Sequence, residues 1–112
     1  MARRVCVDFD GVIATYVRKE PFNPGVIDGV PMDGVKEFIE KLHSEDLQVF
    51  IHSSRALSPL GKVAIEEWCK KYDVPYDGIT GYKIASVAYV DDRAVKFSGD
   101  FNESYNKVKE LM

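Results

Sequence analysis

The first apolar run of the chain, RRVCVDFDGVIAT, ends on two aspartates, Asp8 and Asp10, and Gly11 turns the backbone directly after them. Side chains at this spacing in a strand share a face, so the two carboxylates are neighbours. They repel each other, and the apolar strand disfavours both, unless a cation lies between them or one of them holds a proton. The pattern recurs late in the chain, where ASVAYVDD ends on Asp91 and Asp92 with Lys83 upstream. Between the two, VFIHSSR ends an apolar run on Ser53, Ser54 and Arg55. Four acids at one edge call for a hard divalent ion, and Mg²⁺ suits a few carboxylates with water and a substrate phosphate. His43 and His52 have no companions at catalytic spacing. His52 is expected to point away from Ser53 and pack.

These residues need elements that bring them together. Alternation and β-branched content predict a strand over residues 3–9. Residues 13–31 mix short β-prone pieces with five Pro and Gly residues and read as an irregular loop or hairpin excursion rather than core. Val35, Phe38, Ile39 and Leu42 at helical spacing predict a helix over 33–44, followed by a buried strand over 47–53. Ser58 as N-cap and Pro59 at the first helical position open a helix over 59–72. DGIT is read as a third strand, ASVAYVDD as a fourth and AVKFSG as a short fifth. NESYNKVKELM is a closing helix capped by Asn102. Strand–helix alternation of this kind implies an α/β, three-layer, Rossmann-like parallel sheet with helices on both faces. Such sheets bind ligands at the carboxyl ends of their strands, where the polar residues cluster.

The 112 residues suffice for one domain with a core of its own. A net charge of −3 supplies no general basic field for nucleic acid or an anionic membrane. No apolar run is long enough to span a bilayer, and the N-terminal run turns acidic too early for a signal peptide. Cys6 and Cys69 lack metal-type spacing and suit reduced, packed thiols, so a cytoplasmic setting is expected.

Four of these stretches, in this order, resemble the motifs of the haloacid dehalogenase (HAD) superfamily of phosphatases. They are VCVDFDGV, VFIHSSR, Lys83 in ITGYKIASVAYVDD, and the terminal Asp91–Asp92 pair. The resemblance implies a phosphohydrolase acting on phosphate monoesters, with Asp8 as nucleophile and Asp10 as general acid and then base. It further implies phosphate binding by Ser53, Ser54, Lys83 and Gly11. Mg²⁺ would be held by Asp8, the backbone carbonyl of Asp10, and Asp92, with Asp91 behind it. A dehalogenase needs no second aspartate, because a halide leaves without a proton, so Asp10 points to phosphoryl transfer. Ser53 stands where Thr is commoner, and Val12 replaces another Thr. Lys62 is a rival for the lysine role, but is expected on a solvent-facing helix. Neither gap between motifs is long enough for a cap domain, so the site is expected to be open. It would take a phosphorylated small molecule or an exposed phosphate on a larger substrate, or need a partner subunit to cover it. The alternative is a non-catalytic phosphate- or partner-binding domain on the same fold.

Overall fold

The computed structural model describes residues 3–112; Met1 and Ala2 lie outside the described residues. Strands β1 (Arg3–Asp8), β2 (Leu47–His52), β3 (Gly78–Thr80) and β4 (Ala88–Val90) form one parallel sheet in the order β3-β2-β1-β4. Three helices accompany it: α1 (Val35–Ser44), α2 (Pro59–Tyr72) and α3 (Phe101–Leu111). The steps β1 to β2 and β2 to β3 run in the same direction, so right-handed crossovers put α1 and α2 on one face. There Val5, Val7, Phe9, Val49 and Ile51 pack against Ile39, Ile65 and Trp68 as the core. Trp68 meets Phe9 edge-on at 4.9 Å and donates its indole N–H to the Gly29 carbonyl at 2.9 Å.

The opposite face carries Cys6, Phe50, His52 and Tyr89. No helix covers it. Instead the connection over residues 81–87 crosses it, held by the Val87 N–H on the Arg4 carbonyl (2.8 Å) and by Ser86 Oγ on Cys6 Sγ (3.2 Å). Helix α3 buries none of its residues, and Phe101, Tyr105 and Val108, spaced along one stripe, are all exposed. The radius of gyration, 14.8 Å, accordingly exceeds the roughly 13 Å of a close-packed chain of this size.

Several local expectations are corrected. Residues 94–99 form no strand, so the sheet ends at β4. Asp100, not Asn102, caps α3, because the helix begins at Phe101; Asp100 Oδ1 accepts the Asn102 N–H at 2.8 Å. Pro59 opens α2 as expected, but the Ser58 side chain makes no capping bond, while its N–H closes a 3₁₀ turn onto the Arg55 carbonyl. Helix α1 starts at Val35, after a turn that takes the Val35 N–H to the Met32 carbonyl. Ile13 and Ala14, read as part of the excursion, are fully buried core. The excursion therefore leaves after Ala14, its ends tied by Thr15 N–H to the Val30 carbonyl and Met32 N–H to the Ile13 carbonyl, 2.8 Å each. Cys6 and Cys69 are buried free thiols, and burial pushes Cys69 up to about 12, which makes it inert. Among the described residues, no helix is long and apolar enough to cross a membrane.

Candidate active site

Because β1 and β4 are parallel neighbours, Asp8 at the end of one and Asp91 and Asp92 just past the other reach the same sheet edge. Each offers a carboxylate oxygen, and the three lie within 4.8 Å of one another. Burial, then the charge of Asp91, and more weakly those of Asp92 and Asp10, push Asp8 up to about 7, while the Phe9 N–H opposes the shift. Asp8 thus meets the dilemma posed by its sequence: near neutrality it takes either a proton or a cation. Gly11 adopts a left-handed backbone (φ 87°), and a Cβ on it would run into Asp92 Oδ2. Only glycine lets the first turn close over that carboxylate. A cluster of hard oxygen donors, one of them held above its ordinary pKa, fits a divalent cation such as Mg²⁺. One oxygen of Asp91 accepts the Arg93 N–H at 2.8 Å.

Asp10 points elsewhere. Its carboxylate is not part of the three-acid cluster but is gripped by Arg55, with Nε to Oδ2 at 2.8 Å and one Nη to Oδ1 at 3.1 Å. Arg55 is only 3% exposed. Its other Nη donates to the carbonyls of Asn23, Pro24 and Val26 at 3.2, 3.0 and 2.8 Å, and its guanidinium lies 4.8 Å over the Phe22 ring. Two local features position it. Ser53 Oγ accepts the Arg55 N–H at 3.1 Å and so starts the 3₁₀ turn Ser54–Leu57. Gly61 lets α2 approach, since a Cβ there would run into the Arg55 carbonyl. Ser53 is buried, and with its oxygen accepting from Arg55 its O–H remains able to donate. Ser54, the first residue of that turn, is exposed.

The lysine and histidines are placed differently from one another. Lys83 is exposed in the β3–β4 connection, 4.5 Å over the Tyr89 ring, and among the described residues it pairs with no acid. Lys62 is exposed on α2, as expected. His52 is the register partner of Asp8 and shares its face, half-buried rather than packed away. His43 bonds Asp77 at 2.8 Å, and the same Asp77 oxygen accepts the Val49 N–H at 2.7 Å, a tie between α1 and the sheet. The hold of Arg55 on Asp10 and the excursion has one signal in the sequence, an arginine directly after the polar end of a buried strand.

Beside Asp10 and Arg55 opens a cavity of about 420 Å³, walled by the excursion, with Tyr16, Phe22, Val26 and Ile27 among its apolar lining and Lys19 in its rim. Arg18 is not part of it and pairs with Glu20 in solvent.

No family model and no curated protein matches the chain. Among solved structures it is similar to a chain of the Pnkp1/Rnl/Hen1 complex, at a TM-score of 0.58 and 16% identity, over 95% of this chain and 34% of that one. The chain thus spans about a third of that protein's length. It is also similar to a crystallised target protein from Vibrio cholerae, at a TM-score of 0.53 and 23% identity, over 98% and 99% of the two chains. At such identities the likeness bears on fold alone: an α/β domain on a four-stranded parallel sheet.

Proposed function

We propose that this chain is a Mg²⁺-dependent phosphatase of the HAD type, hydrolysing phosphate monoesters through an aspartyl-phosphate on Asp8. The observation that carries the reading is the convergence of Asp8, Asp91 and Asp92 at the carboxyl edge of the sheet. The proposed architecture is the capless HAD-like core, with α1 and α2 as the helical layer on one face of the sheet. Asp8 Oδ attacks phosphorus as the bond from phosphorus to the ester oxygen breaks. That oxygen leaves with a proton from Asp10, which carries it on one oxygen released from Arg55 while the other stays held. Water then attacks the acyl phosphate, Asp10 takes its proton, and phosphate departs with Asp8 restored. Ser53 donates its O–H to a phosphoryl oxygen, and Lys83, reaching off the Tyr89 ring, balances phosphoryl charge. Mg²⁺ would be held by Asp8, Asp92 and the Asp10 carbonyl, with Asp91 behind them, and would supply charge neutralisation for carboxylates and phosphate.

The test is phosphate release from a panel of phosphate monoesters with Mg²⁺ and with EDTA. Release is expected only with Mg²⁺ and is expected to fall by about a hundredfold in Asp92→Asn. The placement of Lys83 on Tyr89, in no ion pair among the described residues, favours a second reading, a domain that binds phosphate without cleaving it. Mg²⁺-dependent binding of beryllium fluoride with no turnover of any ester would select that reading instead.

A further inference from the structure

The cavity beside Asp10 has no role in the steps above. Its volume, about 420 Å³, is that of a small-molecule pocket, and its walls are mainly apolar and aromatic. Asp10, the residue that protonates the leaving oxygen in the proposed reaction, lies in its lining together with Arg55. A group attached to that oxygen would therefore extend into this space. Arg55 joins the two parts. One guanidinium holds both oxygens of Asp10 and the carbonyls of Asn23, Pro24 and Val26 in the excursion that walls the cavity, and packs on Phe22. Only a planar fork reaches both sets at once; a lysine ammonium cannot. Almost wholly buried, Arg55 has its donors spent on Asp10 and the excursion and acts through what it positions.

We propose that this cavity is the subsite for the leaving alcohol, an aromatic or otherwise apolar one, and that Arg55 is the positioning residue that builds its wall and aims Asp10 as one unit. The proposal rests on the phosphatase reading for its kinetics but not for its binding. An additional ring seated in an apolar pocket is worth about tenfold or more in affinity. Naphthyl phosphate is therefore expected to show a KM about tenfold below that of phenyl phosphate, whose leaving group has similar basicity.

The experiment uses the full chain, with naphthol as the binding probe and the two aryl phosphates as substrates. In Arg55→Lys, kcat should fall for both substrates alike, and the tenfold KM preference for naphthyl should collapse. Naphthol binding, followed by its fluorescence, should weaken by a similar factor, and amide hydrogen exchange should rise throughout residues 15–30. Phe22→Ser, at a half-exposed wall position, carries the same KM and naphthol tests if Arg55→Lys does not fold. A fall in kcat with the naphthyl preference retained would leave Arg55 a support for the fold alone and overturn the proposal. So would a wild-type protein that does not bind naphthol, or unchanged naphthol affinity in both variants. If the wild type binds naphthol, and Arg55→Lys or Phe22→Ser weakens that binding while no ester is cleaved, the phosphatase reading fails and the leaving-alcohol role with it, while the cavity stands as an aromatic-binding site whose wall Arg55 builds.

Discussion

Asp8→Asn is expected to abolish Mg²⁺-dependent ester hydrolysis, by about 10³-fold or more, while leaving a folded domain. The amide nitrogen and oxygen cannot attack phosphorus as a carboxylate does, and among the described residues no second acid is placed to substitute. Asp91 and Asp92 share the cluster but follow β4, whereas Asp8 ends β1 beside the Gly11 turn. The fold should survive because Asp8 is a burden on it. Its carboxylate is half-buried among like charges, and asparagine removes one of them. Phosphate release by steady-state assay, beside the circular dichroism spectrum of the same preparation, separates lost chemistry from lost structure. Substantial Mg²⁺-dependent turnover by a pure, folded Asp8→Asn protein would take the nucleophile away from this position.

The second large effect is on stability. Asp8 has the ordinary value of 3.8 in the unfolded chain and about 7 in the folded one. The folded state therefore holds this proton more tightly, and protonation of Asp8 favours folding. That contribution is fully present below 3.8, declines as the pH rises from there, and is gone above about 7. Metal-free protein is thus expected to melt several degrees lower at pH 8 than at pH 5.5, against the usual pattern for carboxylates (about these pH values). Millimolar Mg²⁺ should raise the midpoint strongly at the higher pH and weakly at the lower, because it binds the ionised cluster of the folded state only. Asp8→Asn should flatten both dependences. Thermal midpoints that ignore Mg²⁺ at pH 8, or that rise steadily with pH in its absence, would contradict the account of the acidic cluster.

The sheet and the edge that carries the acids were legible because strands announce themselves by apolar, β-branched runs, and each run here stops on polar residues. Pro59 at a helix start placed α2 at Pro59–Tyr72, the range the structure has. What escaped the reading depends on partners remote in sequence. Arg55 is satisfied by carbonyls of Asn23, Pro24 and Val26, and a carbonyl carries no side-chain signature. Ile13 and Ala14 looked like loop because turn residues flank them, yet the backbone coils back on the Phe9 carbonyl and buries both. Asn102 and Asp100 are both good caps, and only the start of α3 at Phe101 chooses between them. The AVKFSG run has strand-like composition, but β4 has no further strand beside it, and without a ladder partner such a run does not become a strand. The site was half legible for the same reason. The three clustered acids terminate strands, whereas the grip on Asp10 is a tertiary contact spanning 45 residues.

The central claim is that Asp8 carries the phosphoryl group, and the most direct measurement is to trap it there. Protein turning over an aryl phosphate with Mg²⁺ is quenched in acid, reduced with borohydride, digested and sequenced by mass spectrometry. The account predicts that an acyl phosphate forms during turnover and that reduction converts residue 8, and no other aspartate, to homoserine. Turnover with no reducible acyl phosphate, or homoserine at Asp10, Asp91 or Asp92 in place of Asp8, would contradict it.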